Sequence, residues 1–387
     1  MEKIWGRSFM KIAIVANSTW NIYNFRLNIL RALEEKGVEI VVVAPIDKYI
    51  FYLNEFKNVR HIPLKRLSRK STNPIKDLLL FKEFYGIYKR EKFDIVLHYT
   101  IKPNIWGNLA ARFTQTPSVC AVTGLGYAFL HNGWVEKLST FLYRFSFRSA
   151  RKVVFENEED MVYFEKRNIT KLGQSMSVNG CGIDTDYYAI ENATKTLNAK
   201  NKIIFTFIGR FLYDKGILEF VEAAKNIKEK HSNVAFWLVG EIDENYPATI
   251  STDQLLSWVN QRVIIDKGPS SDVRVNIAAS DCIILPSYRE GTSRVLLEAA
   301  SMGKPIITTD VPGCRNVVEN NVNGILCKAG SSSALTEAIE SFLLLSNEKR
   351  KQMGQIGRHK AVHIFSANQI VTEYLNLLNQ IINEKKQ

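Results

Sequence analysis

The sequence lacks a long apolar run. Its 387 residues are 46% hydrophobic and 23% charged, yet no stretch of about eighteen consecutive apolar residues occurs. No transmembrane helix is therefore expected, and the mixed charge of the first residues does not match a secretory signal. The composition is that of an ordinary globular protein, long enough for two or three domains with complete cores.

Cysteine is sparse, and no two cysteines form a C-x-x-C pair. The five cysteines are scattered and mostly flanked by apolar residues; they are Cys120, Cys181, Cys282, Cys314 and Cys327. This pattern favours buried thiols in a reduced, cytoplasmic protein over a metal site or a set of disulfides.

A glycine-rich dinucleotide fingerprint is also missing. G-x-G-x-x-G would stand between the first strand and its helix, where the chain instead reads ANSTWNIYNF. This absence counts against a dehydrogenase. Two other classes stay open as alternatives: a sugar-nucleotide epimerase built on a two-domain plan, and a non-catalytic binding protein.

The charge is strongly basic and unevenly placed. Of the net charge of +12, residues 1–190 carry +10 and the remainder +2. Residues 57–92 contain 11 basic and three acidic side chains, and residues 137–152 mix five basic side chains with aromatic ones. Such a mixture suits an anionic membrane surface or a nucleic acid. Because no nucleic-acid-binding motif occurs, a membrane is the predicted partner; a solvated helix face is the plainer alternative.

Short β-branched segments alternate with longer amphipathic segments along the whole chain. KIAIVAN, VEIVVVAP and FDIVLHY predict buried parallel strands, and the alternation restarts at KIIFTFIGR after a polar stretch. The pattern predicts an α/β protein with two Rossmann-like, doubly wound domains facing a cleft. We expect the domains at 1–190 and 191–365, with a C-terminal helix at 366–387 that packs back on the N-terminal domain.

Candidate ligand-binding residues follow the predicted strands of the second half, since open α/β sheets bind ligands beyond the carboxyl ends of their strands. Arg210 and Lys215 come directly after the strand IIFTFI, beside Gly209 and Gly216. A guanidinium fork and a point charge at a helix start suit a diphosphate. A surface ion pair is the alternative.

A second candidate loop reads SYREGTSRVLLEAASMGKP. Gly291 and Thr292 are expected to open a helix whose N-terminus favours an anion. Glu290 and Glu298 would then lie roughly 12 Å apart along the helix axis, too far for the paired acids of a glycosidase. This spacing suits one extended ligand held at two places, such as a nucleotide sugar.

The motifs of the C-terminal half resemble the retaining glycosyltransferases of family four, which have the GT-B fold. They are IGRFLYDKGILEFVEA, LVGEIDENYPA, KGPSSDV, DCIILPSYREGTSRVLLEAASMGKPIITTDVPGCRNVV and NVNGILC. The N-terminal half matches more loosely, and its TGLGY segment looks like the branch that builds bacterial capsules, O-antigens and lipid-linked glycans. The resemblance implies a nucleotide-sugar-binding C-terminal domain and an acceptor-binding N-terminal domain.

The resemblance also implies a role for each matching residue. Arg210 and Lys215 would bind the donor diphosphate and stabilise the leaving group, Glu290 would contact the donor hexose, and Glu298 would hold the ribose diol. Arg210, Lys215 and Glu290 are thus the predicted catalytic residues. Backbone N–H groups would come from a run of five residues: Gly291, Thr292, Ser293, Arg294 and Val295.

Further donor contacts are implied, and two of them depart from the family. Lys267 and Gly268 would flank the base. Asn17 stands where the family often has glycine, and Thr123 stands where many members have histidine. Thr123 can bond a hydroxyl but cannot carry a positive charge. His98 is a nearby candidate to compensate, although a satisfied strand-end histidine is the plainer interpretation.

The resemblance implies transfer of a hexose or N-acetylhexosamine, most simply from a UDP-sugar, to a polyprenyl-diphosphate-linked glycan. A GDP-sugar donor is the alternative. No Asp-x-Asp motif stands in a loop suited to a divalent ion, so neither a metal nor another cofactor is expected. The Asp184-Thr-Asp186 segment is better explained as a turn. The enzyme is expected in the cytoplasm, peripherally bound to the inner face of the cell membrane.

Overall fold

The computed structural model describes residues 10–68, 73–125, 129, 133–192, 202–243, 246 and 248–384. Contacts divide the chain into two compact units. The first unit is Met1–Gly182 with Ala367–Gln387, and the second is Ile183–Ser366. The sequence places the first boundary after residue 190 instead; it falls earlier here because Ile183 already pairs with Ser366 in a parallel bridge.

The first unit contains one seven-stranded parallel sheet in the order β3-β2-β1-β4-β5-β6-β7. Its strands are Lys11–Val15 (β1), Glu39–Ala44 (β2), Val59–Pro63 (β3), Ile95–Tyr99 (β4), Ser118–Val122 (β5), Lys152–Phe155 (β6) and Ser175–Ser177 (β7). β4 and β5 are buried over their whole length, as the continuous apolar runs predict.

In the described part of the first unit, six α-helices connect these strands, and a seventh comes from the C-terminal segment. They are Thr19–Phe25 (α1), Leu27–Glu35 (α2), Pro74–Glu91 (α3), Asn108–Phe113 (α4), Trp134–Phe147 (α5), Glu158–Lys166 (α6) and Ala367–Glu384, which is α13 in chain order. Ile370, Leu378 and Ile381 of this last helix lie in the same core cluster as Ile29 and Leu30. The C-terminal helix is therefore part of the first unit.

The second unit repeats the arrangement with six parallel strands in the order β10-β9-β8-β11-β12-β13. Its strands are Ile203–Ile208 (β8), Val234–Val239 (β9), Ile265–Asp266 (β10), Cys282–Leu285 (β11), Ile306–Thr309 (β12) and Gly324–Cys327 (β13). Its helices are Ile217–Lys230 (α7), Thr252–Asn260 (α8), Val273–Ala279 (α9), Arg294–Ser301 (α10), Ser332–Leu343 (α11) and Asn347–Ile364 (α12). The prediction of two doubly wound α/β sheets is confirmed.

One predicted helix is divided in two. The pattern of NFRLNILRALEEKG predicts a single helix, but α1 ends and α2 begins on either side of Arg26, whose φ is −125° and ψ −2°. The break lets the Arg26 side chain turn inward, where it stacks 3.9 Å from the Tyr99 ring centroid and pairs with Glu156 at 3.4 Å. A buried ion pair therefore overrides the helical periodicity.

The structure bears on the state of the cysteines and on the expected absence of a membrane-spanning helix. All five cysteines are free and four of them are buried, Cys181 being partly exposed. Among the helices in the described part of the chain, none has the length and apolar character needed to cross a bilayer.

Candidate active site

The candidate site lies at the carboxyl edge of the second sheet. The loops after β8 and β11 carry most of the residues singled out from the sequence, and the loops after β9 and β12 pack beside them. Parallel strands bring the ends of their loops together at this edge, where such sheets bind ligands.

The loop after β8 is held against the loop after β11 by backbone contact. Gly216 ends the 3-10 turn Tyr213–Lys215 with φ +76°, a left-handed conformation that favours glycine. A Cβ at this position would lie 2.1 Å from the carbonyl oxygen of Pro286. Only glycine permits this approach, and the approach fixes Lys215 beside the second loop.

Lys215 and Glu290 form an ion pair with 2.5 Å between Nζ and Oε1. Their side chains are 25% and 11% exposed, so the pair is sheltered but reachable from solvent. Glu290 donates its backbone N–H to Pro312, and Gly313 packs so closely that a Cβ would lie 2.6 Å from the Glu290 carbonyl oxygen. The acid is therefore held in place, and an incoming phosphate would compete with it for the lysine.

Arg210 is also paired with an acid. Its Nη1 lies 3.1 Å from Oδ2 of Asp243, which follows β9, and both side chains are partly exposed. Asp243 is not among the residues selected from the sequence. Its position after the neighbouring strand, at the same sheet edge, is the feature that could have indicated it. An accessible pair of this kind contributes little stability, so its arginine can exchange partners at small cost.

The helix after β11 begins later than expected. Gly291 and Thr292 do not open it, because α10 starts at Arg294 with Ser293 as its N-cap. Glu290 therefore lies outside the helix. Its distance from Glu298 cannot be calculated from the helical rise per residue. The assumption of a continuous helix between the two glutamates is therefore wrong, and their separation of roughly 12 Å stays a prediction. The Ser293 side chain makes no capping hydrogen bond to this helix.

Glu298 lies one turn inside α10 and is only 6% exposed. Its Oε1 accepts a hydrogen bond of 2.9 Å from Nε of Arg294. Tyr188 packs beside this pair, and burial raises the pKa of its phenol, with the Glu298 charge adding to the effect. Tyr188 was not selected from the sequence, since nothing in its local spacing indicates this long-range contact.

Asp214 is a further acid at this site that the sequence analysis missed. Burial raises the pKa of its carboxyl group, and Lys215 opposes the shift. Its backbone oxygen accepts hydrogen bonds from the backbone of Tyr288 and the hydroxyl of Ser287. Asp214 thereby joins the two loops that position Lys215 and Glu290.

Lys267 and Gly268 follow the short edge strand β10. The Lys267 ammonium lies 4.6 Å from the ring centroid of Trp237, and the Gly268 carbonyl accepts the N–H of Gly240. They therefore adjoin the loop after β9. Gly209 and Val295 also belong to this edge, the latter packing against the core of the second unit.

The remaining selected residues belong to the first unit. Asn17 follows β1, with its Oδ1 accepting the Ser18 hydroxyl at 3.3 Å, and Thr123 follows β5 and is partly buried. His98 is fully buried and bonds the Tyr88 hydroxyl at 3.0 Å. Burial lowers the pKa of His98 to about 3. It is a neutral core residue, so the structure does not support a compensating contact to a donor sugar.

The acidic segment at 184–186 bears on metal binding. The Asp184 carboxylate accepts the backbone N–H groups of Asp186 and Tyr187, which is the geometry of a turn. Within the described ranges, no three His, Cys, Asp or Glu side chains group in a way that could hold a metal ion.

Two doubly wound parallel sheets are the architecture of GT-B glycosyltransferases, and comparison with known proteins supports that class. Family models described as "Glycosyl transferases group 1" and "Glycosyl transferase 4-like" match residues 190–360 and 11–157. The chain belongs to this glycosyltransferase family and is a sugar-transferring enzyme.

Named relatives match this chain over most of its length. The N,N'-diacetylbacillosaminyl-diphospho-undecaprenol alpha-1,3-N-acetylgalactosaminyltransferase of Campylobacter jejuni is 31% identical, covering 96% of this chain and 99% of that protein. The UDP-Gal:alpha-D-GlcNAc-diphosphoundecaprenol alpha-1,3-galactosyltransferase of Escherichia coli is 27% identical, covering 80% and 81%. Anabaena HepE, solved with UDP and glucose, shares the fold with a TM-score of 0.76 at 18% identity, covering 95% and 99%.

Proposed function

We propose that this enzyme transfers a hexose or N-acetylhexosamine from a UDP-sugar to a polyprenyl-diphosphate-linked glycan, with retention of anomeric configuration. The observation that carries the proposal is the Lys215–Glu290 pair at the carboxyl edge of the second sheet, with Arg210 in the same loop as the lysine. The names of the two relatives point to a lipid-diphosphate acceptor, and the HepE structure holds UDP with a sugar.

In this proposal the donor diphosphate takes the place of two carboxylates as the ion-pair partner of Lys215 and Arg210. Lys215 and Arg210 exchange Glu290 and Asp243 for phosphate oxygens, which carry more charge and accept stronger hydrogen bonds. Glu290, once released, is free to accept hydroxyl groups of the hexose. Glu298 receives the ribose diol, and Lys267 with Gly268 flanks the base.

The chemical step needs a stabilised leaving group. An acceptor hydroxyl oxygen forms a bond to the anomeric carbon, and the bond from that carbon to the β-phosphate oxygen breaks, leaving its electron pair on UDP. The acceptor oxygen attacks the face from which the phosphate leaves, which gives retention, and the hydroxyl proton passes to the departing phosphate oxygen. Lys215 and Arg210 stabilise the developing phosphate charge electrostatically, and we propose that no metal or other cofactor is required.

We place the enzyme at the cytoplasmic face of the membrane, bound through the first unit. Helix α5 buries Tyr143 and Phe147 but exposes an apolar stripe on its other side. Trp134, Leu138, Phe141 and Phe145 are 69%, 46%, 62% and 44% exposed. An apolar helix face with arginines at its C-terminal end suits the interface of an anionic bilayer.

The two basic stretches differ in how far their charge is compensated. In 57–92 two of the three acids form ion pairs. Glu91 pairs with Arg60 of the same stretch at 2.6 Å, and Asp77 pairs with Lys102, outside the stretch, at 2.6 Å. Arg69 and Lys70 of this stretch lie outside the described residues. In 137–152 there is no acid at all. The second stretch is therefore the stronger candidate for membrane attachment.

A donor screen followed by transfer tests the proposed reaction. Thermal shift with UDP- and GDP-sugars should identify a UDP-sugar, and that donor should label a short-chain polyprenyl-diphosphate glycan in the presence of EDTA. NMR of the product should show the donor's anomeric configuration. Conversion of the donor without any acceptor would identify an epimerase instead, and stabilisation by GDP-sugars alone would identify the other donor class.

A further inference from the structure

The first unit contains a cavity at the amino edge of its sheet, opposite the edge where the strands end. The cavity has a volume of about 580 Å³. Its walls come from the end of α4, the end of α5 and the segment before β7, which are far apart in the sequence. Arg151 directly precedes β6 and Gln174 directly precedes β7, so the cavity belongs to the amino ends of these strands.

The cavity is lined by positive charge without compensation. Arg112, Arg148, Arg151 and Lys171 line it, and no acidic residue does. None of the four cations forms an ion pair within the part of the chain that the structure describes. The contrast with the second unit is direct, because Lys215 and Arg210 there each have a carboxylate partner.

Hydrogen bonds within the walls hold the cavity in shape. The Gln174 side chain is 7% exposed, and its amide nitrogen donates to the carbonyl oxygens of Phe147 and Ala150 at 2.6 Å each. Lys171 donates to the carbonyl oxygen of Arg148 at 2.9 Å. These bonds join the α5 terminus to the segment before β7, so the guanidinium groups are presented from an ordered frame.

Exposed apolar side chains occur among the lining residues and directly beside them. Leu172, itself part of the lining, is fully exposed, and Phe113 follows Arg112 directly and is 66% exposed. The Arg112 guanidinium lies 6.0 Å from the ring centroid of Phe145 on the apolar stripe of α5. The basic cavity and the apolar stripe are therefore neighbours on one surface.

We propose that this cavity binds the phosphate headgroup of an anionic phospholipid while the adjacent apolar side chains enter the interface. The inference rests on the membrane attachment proposed above. Four uncompensated cations complement a phosphodiester, and the adjacent apolar side chains select a phosphate attached to acyl chains over a free one. Attachment would then depend on specific residues of the cavity as well as on overall charge.

Vesicle sedimentation at low salt tests this proposal with two charge-matched variants. Arg112→Gln with Arg151→Gln removes two cavity cations. Lys36→Gln with Lys48→Gln removes two exposed lysines of the same unit, away from the cavity and close to β2. With phosphatidylglycerol vesicles, the cavity variant should bind about thirtyfold more weakly, at about 1 kcal/mol for each of the two cations. The control should lose less than about threefold, and melting temperatures should show that both variants fold.

Several results would overturn the proposal. Equal losses for the two variants would show that diffuse charge alone is responsible. Saturable binding of inorganic phosphate, measured by calorimetry and lost in the cavity variant, would reveal a free-phosphate site. Equal binding of the wild-type protein to neutral and anionic vesicles would exclude attachment through an anionic phospholipid. Transfer to a short, water-soluble acceptor separates these failures from that of the proposed reaction, because it should be unaffected in the cavity variant.

Discussion

The two sheets share one strand order over six strands, the first sheet having one more at its edge, yet the charged residues at their carboxyl edges are used differently. In the first unit, Arg26 and Glu156 pair with side-chain exposures of 4% and 7%. In the second unit, Lys215 and Glu290 pair with exposures of 25% and 11%, and Arg210 with Asp243 at 49% and 30%. A common topology therefore does not determine the chemistry of its edge.

Accessibility explains what each pair can do. Breaking a buried pair leaves a charge without solvent or partner, which costs several kcal/mol, so such a pair serves the fold. An accessible pair can change partners cheaply, so its cation is available to a ligand. The comparison predicts that mutations in the first unit's pair affect stability, whereas mutations in the second unit's pairs affect turnover.

Arg26→Met should have the largest effect on stability. The substitution leaves the Glu156 carboxyl, whose pKa burial already raises, without its guanidinium partner. We expect the free energy of unfolding of the first unit to fall by about 3 kcal/mol, measured by urea denaturation. Arg31→Met is the control: it breaks an exposed pair with Glu55 and should cost less than about 1 kcal/mol. Similar small losses for both would contradict the structural role of the buried pair.

Lys215→Ala should have the largest effect on turnover. Removing one preorganised charge from the leaving group should lower kcat by about 100-fold at saturating donor, with little change in melting temperature. Lys225→Ala removes an exposed lysine of α7 that pairs with Glu222, and it should retain wild-type turnover. Unchanged kcat in Lys215→Ala would remove this residue from the reaction.

The two glutamates should differ in their effect on nucleotide affinity. Glu298→Ala should weaken UDP binding by about tenfold or more, since a charged acceptor to the ribose diol is lost. Glu290→Ala should not weaken UDP binding, because its proposed partner is the hexose and its removal leaves Lys215 available to the phosphate. Calorimetry with UDP measures both, and equal losses would show that the two roles are assigned wrongly.

Phe141→Ser with Phe145→Ser should give the smallest effect, a reduction of a few-fold in binding to anionic vesicles. Both rings are exposed on α5, so the substitution should not disturb the core. The same double change at the buried pair Tyr143 and Phe147 should instead unfold the unit. Vesicle binding that stays the same after loss of both exposed rings would exclude an apolar contribution.

Much of the fold follows from the sequence because parallel strands are locally encoded. Continuous β-branched runs mark the strands, and the restart of the alternation marks the second unit. Lys215 and Glu290 were predictable for a related reason: each follows a strand, and ligand loops follow strands. Their pairing across 75 positions was not predictable, since it depends on the close packing at Gly216 and on the hydrogen bonds to the Asp214 backbone oxygen, which bring the loops together.

Other features depend on contacts that leave no local pattern. The late start of α10 at Arg294 and the helix break at Arg26 both override periodicity that is locally favourable. His98 is enclosed because Gly107 leaves just enough space for its ring, with a Cβ there 2.8 Å from Nε2. The basic cavity is assembled from three distant segments, so charge counting along the chain could only indicate part of it.

Hydrogen exchange of the whole protein with and without UDP tests the central claim most directly, because it locates the nucleotide on one sheet edge or the other. We predict that UDP slows amide exchange in peptides spanning 209–217 and 288–298, and that the peptide spanning 98–104 is unchanged. The protection at 209–217 should be lost in a variant carrying Arg210→Gln and Lys215→Gln. Protection confined to the first unit, or protection of 209–217 that survives both substitutions, would contradict the account.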